Sequence, residues 1–116
     1  MEARAISRYN RHSPRKMRLV IDLIRGKNVG EAYAILQFSK KKAAEQIDKT
    51  LRSAVANAKS KADQEGEYVD VDELYVREAY VNEGPRLKRW RAAAMGRAAP
   101  RAHATSHIIV VVGTKE

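Results

Sequence analysis

The chain has 116 residues, enough for one domain around one core. It contains no cysteine, which excludes a disulfide scaffold, a thiolate metal site, an iron–sulfur cluster and a cysteine nucleophile. Its formal charge is +9, with 23 Lys or Arg against 14 Asp or Glu, so a polyanionic partner is the first expectation. No apolar run approaches the ~18–20 residues of a membrane span, and MEARAISRYN holds no hydrophobic stretch for a secretory signal. A cytoplasmic protein is expected.

The charge is segregated. Residues 1–18 carry +5, residues 41–62 carry +4 and residues 84–116 carry +6, while residues 63–83 carry −7. A chain that needed only solubility would intersperse its signs. Nucleic acid is therefore the leading partner and an anionic membrane surface the second.

In chain order, residues 3–9 alternate, with Ala3, Ala5, Ser7 and Tyr9 against Arg4, Ile6 and Arg8, which predicts a short strand. Ser13-Pro14 reads as an N-cap followed by proline at the first helical position. Met17, Val20, Ile21 and Ile24 form the stripe of that first helix, Leu19 and Leu23 widen it, and Gly26 is expected to end it in a left-handed C-cap. Asn28, with Glu31 three residues on, predicts a second helix opened by a capping box. Ala32, Ile35 and Leu36 are its expected buried face, and Phe38 is expected to pack at its exit. Ser39 is the expected cap of a third, longer helix. Its stripe is Ala44, Ile47, Leu51, Ala54, Val55, Ala58 and Ala62, and Gly66 ends it in an acidic loop. From Leu74 the period becomes two, with Leu74, Val76, Glu78 and Tyr80 against Tyr75, Arg77, Ala79 and Val81. His107–Val112 is the most strand-like run in the chain, rich in β-branched residues. The expected class is α+β.

The interval 82–104 has no core of its own. It carries Arg86, Lys88, Arg89, Arg91, Arg97 and Arg101, and no acid lies between Gly84 and Ala104. Connections this long are usually functional or disordered. Two strong strands flank it, so it reads as a hairpin that extends beyond the body, with its turn near Ala94–Gly96. An isolated two-stranded ribbon is marginal in water, so an outside partner is expected to hold it.

Two constellations point to RNA. Ser13-Pro14-Arg15-Lys16-Met17-Arg18 places cations at a helix N-terminus whose free N–H groups attract anions, and Arg11, Arg25 and Lys27 add to them. The arginines of the hairpin can fork onto phosphates, and Trp90 offers a stacking face. Other motifs are weak. The acidic run from Asp63 to Glu73 lacks the offsets of a calcium loop. His12, His103 and His107 are too scattered to ligate a metal. Ser106 and His107 are strand neighbours on opposite faces, which is poor geometry for a nucleophile and its base. The second helix offers only Glu31, Tyr33 and Gln37 to base edges, against a helix-turn-helix reader.

Five segments together resemble the bacterial large-subunit ribosomal proteins numbered twenty-two, the exit-tunnel hairpin family. They are SPRKMRLVIDLIRGK (Ser13–Lys27), KKAAEQIDKTLRSAVANA (Lys41–Ala58), LYVREAYVNEGPRLKR (Leu74–Arg89), GRA (Gly96–Ala98) and TSHIIVVV (Thr105–Val112). The resemblance implies a three-stranded antiparallel sheet packed on three helices, with a long β-hairpin extending from the body. Residues 1–116 would form one domain, of which 82–104 is the hairpin. It also implies a structural, non-enzymatic constituent of the large subunit that binds ribosomal RNA, assists assembly and lines the nascent-peptide tunnel with its hairpin.

The partners implied are ribosomal RNA, neighbouring large-subunit proteins and the nascent peptide, with no cofactor, membrane or small-molecule substrate. RNA contacts are expected at Arg11, Ser13, Arg15, Lys16, Arg18, Arg25, Lys27, Arg86, Lys88, Arg89, Arg91, Arg97, Arg101 and His107. Trp90, Arg91, Ala93, Met95, Gly96 and Arg97 are expected to line the tunnel. The chain departs from the family at the tip, where Pro-Arg-Ala-x-Gly-Arg-Ala is replaced by Ala92-Ala93-Ala94-Met95-Gly96-Arg97-Ala98. It departs again at His103-Ala104, where the family carries a basic pair. The alternatives are an architectural DNA-binding protein and a peripheral membrane protein; the alanine-rich stripe of the third helix disfavours the membrane.

Overall fold

The computed structural model describes residues 2–92 and 94–114, with Arg101 described through its backbone alone. Five strands and three helices follow one another as β1 (Glu2–Asn10), α1 (Pro14–Ile21), α2 (Val29–Phe38), α3 (Ala43–Glu65), β2 (Leu74–Glu83), β3 (Leu87–Ala92), β4 (Ala98–His103) and β5 (Ser106–Thr114). Strands β1, β5 and β2 form an antiparallel sheet in that order, and β3 and β4 pair as a separate antiparallel ribbon. The α+β class and the three-stranded sheet with its hairpin are as the sequence predicts.

The central strand is the β-branched run. Ile108, Val110 and Val112 face the helices and join Met17, Ile21, Ile47, Leu51 and Val76 in the core. Ile109 and Val111, on the other face, are also buried, which is why this strand reads as continuous apolar sequence rather than as alternation. The stripe of α3 is buried from Ala44 to Ala62, and Gly66 ends that helix in the left-handed region at φ 70°.

Strand β2 breaks strict alternation. Val76 pairs with Val112, but Glu78 pairs with Val111, so Arg77 is an extra residue in a bulge. The buried set therefore switches from Leu74 and Val76 to Ala79 and Val81. Neither alternating set read from the sequence is the core face along its whole length.

Several local expectations are corrected. Helix α1 ends at Ile21 rather than near Gly26. Its last turn tightens through bonds from Leu23 N–H to Val20 C=O and from Ile24 N–H to Ile21 C=O, and Gly26 then donates to Val76 C=O at 3.0 Å. The pull of that loop onto the edge of β2 stops the helix a turn early. Leu19 and Leu23 do not widen the buried stripe but are 59% and 52% exposed, and Phe38 is 82% exposed rather than packed at the exit of α2. Asn28 caps α2 by accepting from Gly30 N–H at 2.9 Å. Its Oδ1 thus meets the N–H of Gly30 rather than that of Glu31, as a capping box would require, and its amide donates to Asp72 C=O. Ser39 closes α2, and its hydroxyl accepts from Lys41 N–H; α3 opens at Ala43 after Lys42. Ser13 stands before α1 but makes no side-chain cap bond.

Both open edges of the sheet are covered by side chains. On β2, Arg18 donates Nε and Nη2 to Val81 C=O at 3.2 and 3.0 Å, and Arg25 donates Nε and Nη2 to Ala79 C=O at 2.9 and 2.6 Å. On β1, Asn57 donates to Arg4 C=O and Lys61 to Glu2 C=O. In each case the acceptors are two residues apart, the spacing of carbonyls that face one edge. Edge groups left open would invite pairing with another chain.

The hairpin continues the β2–β5 pair away from the body. Pro85 has no N–H to give, so the ladder lapses at the root and resumes at Leu87↔His103. The gap is held by Gly84 N–H to Thr105 C=O at 2.9 Å and by the Thr105 hydroxyl donating to Pro85 C=O. A Cβ on Gly84 would sit 2.5 Å from Thr105 Oγ1, so this close approach needs glycine. The turn falls at Ala94–Gly96. With it the molecule measures 66 × 28 × 18 Å and has a radius of gyration of 17.6 Å, against ~13 Å for a compact chain of this length.

Candidate nucleic-acid interface

The cations fall into two sets. Arg18 and Arg25 are committed to the β2 edge, and Arg25 is also paired with Asp22 at 2.8 Å. Arg52 pairs with Asp48, Lys49 with Glu45 and Arg77 with Glu2. Arg11, Arg15 and Lys16 are exposed and carry none of these intramolecular pairs.

The first turn of α1 contains no acid, and among the described residues no ion pair neutralises Arg15 and Lys16 beside the positive end of the helix dipole. An anion placed there would meet both the side chains and the free N–H groups.

Placement along α1 sorts the predicted contacts further. Met17, in its first turn, meets Ser106 at the hairpin end of β5 (Ser106 Oγ to Met17 Sδ, 2.8 Å). The start of α1 therefore lies at the root of the hairpin. Arg11 and Ser13 line a cleft of ≈ 510 Å³ with Ala102, His103 and Ala104 of the returning arm. The two predicted constellations, far apart in sequence, meet there. His107 lies on the adjoining sheet face, half-buried, and accepts Tyr9 N–H on Nδ1 at 3.1 Å. Arg25 and Lys27 are placed apart. Lys27 C=O accepts from Val76 N–H, toward the end of β2 where Asn28 reaches Asp72 and the acids collect.

The hairpin presents its side chains to solvent. Among the described residues of β3 and β4 none is buried; Trp90 is 72% exposed and Met95, at the tip, 96%. Trp90 stands opposite Pro100, and Arg91 opposite Ala99. Arg86, Lys88, Arg89, Arg91 and Arg97 are all exposed. Ala93 and the side chain of Arg101 lie outside the described part. Ion pairs for the remaining hairpin cations are absent among the described residues, and Arg89 reaches only the neighbouring Lys88 C=O.

Two cations outside the predicted set share this side of the body. Lys41 and Lys42 line a groove of ≈ 470 Å³ with His12, Lys16 and Leu19. The run Lys40–Lys42 was the available signal for them, but its position beside Lys16 is a consequence of packing. No group of three or more His, Asp or Glu side chains is arranged to hold a metal ion among the described residues. An extended ribbon with no acid in its sequence thus joins a basic helix start at its root, a cationic surface of the kind that suits a polyanion.

Comparison with known proteins agrees. Residues 5–113 match the family model described as ribosomal protein L22p/L17e. A protein of Bifidobacterium longum (strain DJO10A), called large ribosomal subunit protein uL22, is 54% identical over 116 residues, covering 100% of this chain and 98% of its own length. Relatives of the same name in Halothermothrix orenii and Desulfitobacterium hafniense are 53% and 56% identical, covering 100% and 99% of this chain and 98% and 96% of their own lengths. The chain belongs to the ribosomal protein L22p/L17e family, whose members are structural constituents of the large ribosomal subunit and not enzymes.

Proposed function

We propose that the chain binds large-subunit ribosomal RNA through the start of α1 and the hairpin, assists subunit assembly, and lines the nascent-peptide tunnel with the hairpin tip. The observation that carries this reading is the ribbon. It extends a molecule of 66 Å length with a stretch that has no acid and no buried residue among those described. A chain gains nothing for its own folding from such a ribbon, since two strands alone are marginal. Its arginines and Trp90 are chemically matched to phosphate and base faces.

Arg11, Ser13, Arg15, Lys16 and His107 would anchor the body at the hairpin root, with Arg86, Lys88, Arg89, Arg91, Arg97 and Arg101 following the RNA outward. Arg18, Arg25 and Lys27 are assigned a lesser share, because the first two are engaged with β2 carbonyls and the third lies apart. Trp90, Arg91, Ala93, Met95, Gly96 and Arg97 would meet the peptide. The protein then works in the cytoplasm, beside other large-subunit proteins.

Filter binding of the full chain, with large-subunit ribosomal RNA competed by duplex DNA and by anionic vesicles, tests the partner class. Ribosomal RNA should win. Equal or stronger retention by duplex DNA would favour an architectural DNA-binding protein. Co-sedimentation with large subunits tests the assembly reading.

A further inference from the structure

We propose that Tyr9 and His107 form a platform for one unpaired nucleobase of the ribosomal RNA at the foot of the hairpin, with Tyr9 supplying the stacking face. The inference rests on the ribosomal-RNA reading and adds to it a site and a ligand class.

Tyr9 is held where bulky residues seldom go. Its φ is +57°, one of two positive values outside glycine among the described residues, in a region that glycine or asparagine enters with little penalty. The cause is a bulge in β1: Ser7 pairs with Ile108 and Asn10 with Ser106, so Arg8 and Tyr9 together stand opposite His107. Bulges re-aim side chains, and strained backbone of this kind gathers at functional sites. The buried Asn10 closes the bulge, its amide donating to Ser7 C=O and Ser106 C=O and its Oδ1 accepting from the Ser7 hydroxyl. That accounts for the backbone but not for an aromatic side chain at this position, since Tyr9 is 65% exposed and adds little to the core.

The bulge also creates a defined pairing of rings. The Tyr9 and His107 rings lie perpendicular, at 83°, with centroids 5.0 Å apart. His107 therefore covers at most one face of Tyr9. Tyr9 N–H donates to His107 Nδ1 at 3.1 Å, which makes Nδ1 an acceptor and puts the proton of the neutral imidazole on Nε2. Asn82 is the register partner of His107 on β2 and is exposed on the same sheet face, offering an amide donor and a carbonyl acceptor. Arg8 and Arg11 flank the ring in sequence and are exposed, and Arg11 continues into the cleft shared with the returning arm.

An aromatic face, an amide on the far side of His107 and cations within two residues match a base with its own phosphates. A lone phosphate would make no use of the ring. The base must be unpaired, because a base inside a duplex is already stacked on both sides.

The test uses the full chain and in vitro transcribed large-subunit ribosomal RNA, with affinity measured across a salt series. Tyr9→Gly should keep or raise the melting temperature, since glycine suits φ +57°, yet weaken binding about tenfold at every salt without changing the log–log slope. Tyr9→Asn, which also tolerates that φ, should behave alike, and Tyr9→Phe should stay within about twofold of the parent, because the stacking face is retained. Arg15→Gln is the contrast: it should lower the slope. Wild-type affinity in the Gly and Asn variants would overturn the platform while leaving the RNA reading standing. So would an equal loss in Tyr9→Phe, which would assign the effect to the hydroxyl. A parent protein with no salt-dependent affinity for this RNA would overturn both.

Discussion

Leu51 and Trp90 stand for two regions built on different accounts. Leu51 is fully buried in the middle of α3, among residues drawn from three helices and three strands. Trp90, the largest side chain in the molecule, is 72% exposed in the middle of a two-stranded ribbon. In the body, apolar area removed from water holds the chain together. In the hairpin, the backbone ladder is nearly all there is, and the side chains are left for something else. Large apolar residues are therefore not a guide to the core here; the core is made by medium-sized residues in register, and the largest one is spent outside it.

The comparison can be broken by substitution. The largest effect is expected at Leu51→Ala, which should cost about 2–5 kcal/mol in chemical denaturation of the free protein. A loss below ~0.5 kcal/mol would mean that the α3 stripe is not core. Next comes Arg18→Ala. Its two bonds to Val81 C=O clamp α1 onto the β2 edge, and removing a charged donor from such a carbonyl should cost about 1–3 kcal/mol. Arg15→Ala, one turn away and without such a bond, should stay within ~0.5 kcal/mol of the parent. If the two arginines gave equal losses, the division into clamping and RNA-facing cations would fail. Trp90→Ala should change stability by less than ~0.5 kcal/mol, the range for surface sites, while weakening RNA binding. Smallest in energy is the response to salt: each phosphate contact removed by Arg15→Gln or Lys16→Gln should lower the log–log slope of RNA affinity by about 0.7–0.9, measured by filter binding with thermal melts as the control for folding.

Period and punctuation made much of this legible. The α3 stripe, the proline at the start of α1, Gly66 as a C-cap, the strand at His107–Val112 and the hairpin with its turn at Ala94–Gly96 all follow from spacing and from where Gly and Pro fall. Most of the misses share a cause, which is that tertiary contacts decide them. A bulge at Arg77 inverts the faces of β2 without any glycine or proline to announce it. Leu19, Leu23 and Phe38 look like core because they are apolar, but Leu19 lies across the helix from Met17, Val20 and Ile21, Leu23 follows the helix end, and Phe38 stays exposed where α2 stops. The bonds of Arg18 and Arg25 to β2 carbonyls were equally out of reach, because the open edge of a strand is invisible in a sequence. The same holds for the site. Its residue types were legible as an excess of cations without acids, whereas the meeting of Arg11 with the returning arm, the pairing of Tyr9 with His107 and the approach of Lys41 and Lys42 to Lys16 are products of the fold.

The central claim is that the body folds without the hairpin. It is tested most directly by replacing Leu87–Ala102 with a short glycine-containing turn that joins β2 to β5, and following thermal unfolding of the free protein. Among the described residues removed, none belongs to the core of Met17, Leu51 and Val110. The account predicts one cooperative transition with a melting temperature close to that of the full chain, alongside weaker binding to ribosomal RNA. A truncated chain that does not fold, or that melts many degrees lower, would show that the ribbon is part of the core and would contradict the account.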